Sequence, residues 1–426
     1  MLSARGSSDR RMSLTAVGTP VLRTPQRPLG HDQAGMPVRD KPRERPRAEI
    51  ALALAGKAGT AFGAIGLASL TPFIRSEFEL SSVLIGGIVA IVFLGAMIAI
   101  IPAGRITDRY RSGRVLGVCM LFLAVGLAVA AVAPSRALFF LGVGIAGLGY
   151  GAADPGSNVL VSANVSRRRR GILMGISHTG LTLGGLLGGL VLPSLAETTS
   201  WRVAVVLPIA VALLISIASL WVGGPEPRHL HRRAEPLRPS SLLGLGAYGF
   251  VMAGTQMTVL AFLAIYLVDR AAMSSTKAGI GVSVLLAGAT LGRIAWGWFS
   301  DRLFHSRLLA LRLAALTTAV SLVIVALVEG HVSIWPILFV LGFCSIGWNG
   351  VWIATAAESV PPTSVGRATS VVLIFAFAGA VLLPPAYGEL VDRASSWPTT
   401  WIVAAAVVAG LLVLVRLSGS ATRATT

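Results

Sequence analysis

The sequence predicts an all-α membrane protein of twelve transmembrane helices in two pseudo-symmetric six-helix halves. Three observations predict it: apolar runs long enough to cross a bilayer, basic residues gathered in alternate loops, and a repeat that lays one half of the chain on the other. Of the 426 residues, 54% are hydrophobic and 13% charged, against about 25% charged in ordinary soluble domains. A helix rising about 1.5 Å per residue needs roughly 20 residues to cross a hydrocarbon core of about 30 Å. The chain offers twelve such runs.

The elements follow in order. Residues 1–48 are rich in Pro, Arg and Ser and hold no apolar run, which predicts a disordered cytoplasmic tail. Six spans centred near Gly63, Ala90, Leu123, Tyr150, Leu183 and Leu213 fill residues 49–223. Residues 224–240 form a basic cytoplasmic linker. Six more spans, centred near Gly254, Leu285, Thr317, Ser345, Ala378 and Val408, fill 241–417, and 418–426 is a short cytoplasmic tail. Few of these spans carry a continuous charged face, so lipid rather than water is their solvent.

The net charge of +18 would suggest nucleic acid in a soluble protein, so the placement of the basic residues decides. Arg105, Arg109, Arg111 and Arg114 follow span 2, Arg167 to Arg170 follow span 4, Arg228, Arg232, Arg233 and Arg238 follow span 6, and Arg302, Arg307 and Arg312 follow span 8. The other loops hold Arg75, Arg136, Arg202, Arg270, Lys277 and Arg393 beside acids such as Glu77, Glu79, Glu197, Asp269, Glu389 and Asp392. The positive-inside rule then predicts a multi-pass protein of the inner (plasma) membrane with both termini cytoplasmic and no nucleic-acid partner. Cys119 and Cys344 both fall inside apolar runs, so no disulfide framework or metal site is indicated. The sequence contains no P-loop, nucleophile elbow, HExxH or dinucleotide fingerprint. We expect no enzyme and no cofactor.

The repeat starts from two stretches, Gly104 to Arg114 (GRITDRYRSGR) and Gly297 to Arg307 (GWFSDRLFHSR). A shift of 193 matches Gly95 with Gly288, Gly104 with Gly297, Asp108 with Asp301 and Arg109 with Arg302. A shift of 195 then matches Gly147 with Gly342, Asp154 with Asn349, Gly171 with Gly366 and Gly184 with Gly379. Parallel repeats of this kind suit a transporter with its substrate between the halves near midplane.

A charge inside a span is costly and normally faces a cavity on a substrate or proton path. Lys57 in span 1, Asp154 in span 4, His178 in span 5, Arg293 in span 8 and Asn349 in span 10 qualify. Each lies roughly 6 to 8 Å to the cytoplasmic side of its span's midpoint at about 1.5 Å per residue. Helical spacing places Tyr150, Asp154 and Asn158 on one face, with Pro155 freeing a carbonyl there. Ser345, Asn349 and Trp352 repeat that stripe in span 10, His178 and Thr182 form a shorter one, and Gln256 is the polar candidate of span 7. Each has a structural alternative: Lys57 snorkels to the interface, Arg293 pairs with cytoplasmic groups, and His178 packs against a carbonyl. Asp154 is too short to snorkel. The tryptophans at 296, 298, 348 and 352 read as packing or interface anchors.

The helix number, the duplication and the Gly104, Asp108, Arg109 loop resemble the major facilitator superfamily. There the GxxxDR loop after helix 2 closes the cytoplasmic side, which implies gate roles for Gly104, Asp108, Arg109 and their copies Gly297, Asp301 and Arg302. This chain has Tyr110, Arg111 and Ser112 before Gly113, later than the family's glycine. The resemblance also implies that spans 1, 4, 5, 7, 8 and 10 line the cavity. Gly171, Gly180, Gly184, Gly185, Gly188 and Gly189 reproduce a spacing found in family antiporters, without its proline. The same glycines, with Gly180, Gly184 and Gly188 at every fourth position, also read as close helix packing. An arginine at the offset of Arg293 binds anionic substrates in carboxylate carriers that this chain resembles.

The expectation is a monomeric secondary transporter, working by alternating access, that couples a small organic anion such as a carboxylate to protons. Arg293 holds the anion with Lys57 assisting, and Asp154 and His178 carry the proton. The rival readings are a proton-coupled exporter of cations or drugs with Asp154 as the cation site, and a transporter-like sensor or scaffold acting through its basic tail.

Overall fold

The computed structural model describes residues 46–107, 109–164, 167–224, 242–328, 334–360, 365–394 and 396–421. The tail 1–45, the linker 225–241 and the gate candidate Asp108 lie outside the described residues.

The chain forms fourteen α-helices among the described residues. In the first half these are α1 (Pro46–Ser69), α2 (Thr71–Phe78), α3 (Ser82–Thr107), α4 (Ser112–Val132), α5 (Arg136–Ala163), α6 (Arg167–Thr198) and α7 (Trp201–Val222). The second half has α8 (Leu243–Asp269), α9 (Ser275–Trp298), α10 (Arg307–Leu327), α11 (Ile334–Ser345), α12 (Asn349–Glu358), α13 (Val365–Ala394) and α14 (Trp397–Ala421). Among the described residues eleven segments are long and apolar enough to span a membrane, and the apolar stretch Trp397–Leu412 of α14 makes the twelfth. The starts of α5, α7 and α9 are set by serine N-caps: Ser135, Ser200 and Ser274 accept from the backbone N–H groups of Leu138, Val203 and Lys277.

Helices α4, α7 and α10 carry exposed apolar side chains, among them Phe122, Leu214, Trp221, Val320 and Leu327, and α3, α6 and α14 add others such as Ile98, Leu187 and Ile402. That band faces lipid. Inside it, the halves meet along two crossings, α3 against α13 and α6 against α9. Both are made by small residues: a Cβ on Gly189 would stand 2.7 Å from the Gly279 carbonyl oxygen, and one on Gly86 would strike the Pro384 carbonyl. These contacts lie toward the face that carries the loops α1–α3, α4–α5, α6–α7 and α8–α9, opposite the start of α1 and the end of α14. We call it the distal face.

Span 10 departs from expectation. It is two helices, α11 and α12, separated by a turn at residues 346–348. The carbonyls freed by the break are taken by side chains of the turn itself: the Trp348 indole N–H donates to Ser345 O at 2.8 Å, and the Asn349 amide donates to Ile346 O at 2.8 Å. Ser345, Asn349 and Trp352 therefore form no continuous stripe. Trp352 instead turns away, 1% exposed, with its N–H on Leu245 O.

Candidate functional site

The site grows from the packing of α1 on α6. Gly180 brings α6 so close that a Cβ there would lie 3.1 Å from Leu54 O and 3.4 Å from the Lys57 Cβ. Gly184 and Gly188 continue the contact against Ala58 and Gly66. This approach lets Lys57, 1% exposed, reach across to α5 and α6 instead of toward water. Snorkelling is thereby ruled out, since the ammonium is spent inside the bundle.

Lys57 Nζ lies 3.0 Å from Asp154 Oδ1, 2.9 Å from Asn158 Oδ1 and 3.0 Å from His178 Nε2. An ammonium has three hydrogens and no acceptor, so these three partners satisfy it completely. His178 must accept at Nε2, which places its own proton on Nδ1 and leaves the imidazole neutral. Asp154 and Asn158, one turn apart on α5, share the ammonium. The Asp154 side chain is 39% exposed.

Arg293 closes the cluster from the other half. Its Nη1 donates to the His178 backbone carbonyl at 2.9 Å, while its buried Nε has no hydrogen-bond partner among the described residues. The alternative in which Arg293 reaches cytoplasmic groups does not hold. One turn toward the distal face the Thr290 and Thr182 hydroxyls meet at 2.7 Å, a second tie between α9 and α6. Thr290 escaped the sequence reading because a threonine in an apolar run is common and carries no charge to flag it.

His178 is therefore the hinge of the cluster, with its ring on the first half and its carbonyl on the second. Lys57, Asp154, Asn158, His178 and Arg293 are brought together from α1, α5, α6 and α9. Gln256 and Asn349 form a separate pair in the second half, with the Asn349 amide donating to Gln256 Oε1 at 3.1 Å. Distal to the charges lies a small apolar pocket lined by Ile65, Ile88, Phe93, Tyr150 and Met257 among others. Tyr150, one turn from Asp154, joins the two. The Phe93 ring stands edge-on to Tyr150 at 5.6 Å and to Phe377 of the second half at 5.8 Å.

A model of the Major Facilitator Superfamily matches residues 53–384. The chain belongs to this family. It is 29% identical over 297 residues to an uncharacterized MFS-type transporter of Mycobacterium tuberculosis, a match that covers 66% of each chain, just under two thirds of the relative. It is 27% identical over 340 residues to the gentisate transporter of Corynebacterium glutamicum, covering 74% of this chain and 75% of that one. A glucose/galactose transporter of Brucella abortus is 26% identical over 349 residues, covering 76% and 82%. Among solved structures, the inward-facing, occupied form of a bacterial homolog of the human lysosomal transporter Spinster superposes with a TM-score of 0.74 at 15% identity, covering 89% of this chain and 97% of that one. That likeness is one of fold.

Within this MFS chain the gate candidates stand apart from the cluster. A Cβ on Gly104 or on Gly297 would meet nothing within 4 Å. Asp301 and Arg302 sit in a π-helical turn, Phe299–Leu303, and Asp301 lies 3.5 Å from Arg307 of its own half. Among the described residues Arg109 and Arg302 form no ion pair. Gly113, late by the family's spacing, packs where a Cβ would lie 2.8 Å from the Gly223 backbone, fitting the start of α4 to the end of α7. The α6 glycines divide between two partners: Gly180, Gly184 and Gly188 face α1, Gly189 faces α9, and Gly185 meets both, through Ile65 of α1 and Leu286 of α9. Gly171 lies in α6 where side-chain surroundings are not described.

Proposed function

We propose that this chain is a proton-coupled transporter of a small organic anion, a carboxylate, working by alternating access with the termini on the cytoplasmic side. Family membership leaves the cargo open, because relatives of nearly equal identity carry names as different as gentisate and glucose/galactose. The electrostatics of the cluster favour an anion. Two cations, Lys57 and Arg293, face one carboxylate, Asp154, which leaves one positive charge uncompensated.

The observation that carries the reading is the unpartnered, buried Nε of Arg293. A guanidinium offers a planar fork matched to a carboxylate, and this fork has one arm tied to a single carbonyl and the other free. Lys57 assists differently from its first assignment. It is saturated by Asp154, Asn158 and His178, so it becomes available only when Asp154 takes up a proton and the ion pair dissolves. Proton and anion then enter as a neutral pair, the anion between Arg293 and the freed Lys57. His178 positions both cations rather than carrying the proton, because a proton on Nε2 would face the Lys57 ammonium 3.0 Å away. A cation exporter using Asp154 is disfavoured by the Lys57 already seated on that carboxylate.

The test is a thermal-shift screen of purified protein against carboxylates and lipophilic cations. A ligand at about 100 times its Kd stabilises the native state by about 2.7 kcal/mol. A carboxylate should raise the melting temperature of the wild type and not of Arg293→Ala. Stabilisation by cations alone would overturn the anion reading.

A further inference from the structure

Two carboxylates on the distal face do something that the cluster does not explain. Asp392, near the end of α13, accepts from the backbone N–H of Ser82 at 3.2 Å through Oδ1 and of Val83 at 3.3 Å through Oδ2, at the start of α3. Glu197, near the end of α6, accepts from the Thr276 backbone N–H at 2.7 Å through Oε1 and from the Thr276 hydroxyl at 2.6 Å through Oε2, at the start of α9. In each case a carboxylate of one half caps the N-terminus of a helix in the other. Among the described residues neither carboxylate forms an ion pair.

The two contacts are copies of one another. Asp392 lies 195 residues after Glu197 (392 − 197) and Thr276 lies 193 after Val83 (276 − 83), the same two shifts that align the halves. Each capped helix also has its own serine, with Ser81 accepting from Leu84 N–H at 3.4 Å and Ser274 from Lys277 N–H at 3.3 Å. Those local caps belong to one half and persist whatever the halves do. The carboxylate contacts span the halves and must break when they separate.

We propose that Glu197 and Asp392 are a symmetry-related pair of gate residues that hold the distal face shut. A carboxylate at a helix N-terminus is favoured by the unpaired N–H groups and by the helix dipole, and both gains vanish in the distal-open state. Each latch therefore shifts the population toward distal-closed. Loss of a capping interaction of ordinary strength, about 1 kcal/mol, corresponds to roughly a five-fold change in an equilibrium constant. The twofold arrangement lets the two crossings release together, since neither α3–α13 nor α6–α9 can part while its own latch holds.

The experiment measures the distance between spin labels at Ala137→Cys and Thr399→Cys, two exposed distal positions on opposite halves, by pulsed electron resonance in full-length protein in lipid nanodiscs. The native cysteines are buried. Glu197→Ala and Asp392→Ala should each raise the ratio of distal-open to distal-closed protein roughly five-fold, and the double variant should raise it further. Glu389→Gln, which removes only an ion pair within α13, should leave the distribution unchanged. Glu197→Asp, one methylene shorter, should fall between wild type and Glu197→Ala. Unchanged distributions in both single variants and the double would overturn the latch. No ligand is used, so this result and that of the anion screen stand or fall separately.

Discussion

At the scale of single residues, the organising fact is that Lys57 is satisfied by three partners from two other helices. Removing Asp154 alone leaves a buried ammonium facing only neutral acceptors. Asp154→Asn should therefore destabilise the fold by about 2 kcal/mol, below the roughly 3 to 5 of a fully buried pair because Asp154 is 39% exposed. Lys57→Met combined with Asp154→Asn should melt above Asp154→Asn alone, which thermal unfolding in detergent would show. If the double variant melts lowest, the two side chains do not form a coupled pair. On the transport side, Asp154→Asn should retain substrate exchange across a proteoliposome membrane while losing proton-driven accumulation, because exchange requires no net proton movement. That Lys57, Asp154, His178 and Arg293 are charged or titratable groups within apolar spans was legible in the sequence. Their pairing was not, since Lys57 and His178 are 121 residues apart and which charges meet depends on how helices pack.

At the scale of elements, glycine decides how closely helices approach. A Cβ on Gly184 would drive into the backbone of Ala58 with no flexible side chain to yield. Gly184→Ala should cost about 1 to 3 kcal/mol through overpacking of α1 on α6, and should also loosen the Lys57 contacts that this approach makes possible. Gly297→Ala meets nothing within 4 Å and should change stability by less than about 0.5 kcal/mol. Melting temperatures of the two variants, measured side by side, would check the contrast, and equal losses would refute it. The glycine spacing in α6 was readable as a string of residues. That one subset serves α1 and another α9 needed the neighbours in place. The break in span 10 was invisible for a related reason: Ile346, Gly347 and Trp348 keep the run apolar, and only the side-chain bonds of Trp348 and Asn349 show the backbone leaving the helix.

At the scale of the whole molecule, Arg75 and Asp269 pair at 2.6 Å although they stand 194 residues apart, within the range of shifts that align the halves. A residue that pairs with its own repeat copy lies beside the pseudo-twofold axis, and this pair joins α2 to the end of α8 on the distal face. Arg75→Cys with Asp269→Cys, joined by a short reducible cross-linker, should stop transport by holding the halves together there, and reduction should restore it. Transport that continues through the cross-link would show that the distal face does not need to open. Composition, span length, arginine placement and the repeat were enough to establish a twelve-span, two-half membrane protein, because lipid demands long apolar helices and duplication leaves matched residues at a constant shift. Tertiary structure alone decided that Lys57 is spent on Asp154, Asn158 and His178, that Arg293 retains a free donor, and that the distal face is the closed one. Those outcomes depend on distances of about 3 Å between residues remote in sequence, and the order of residues along a chain does not specify such distances.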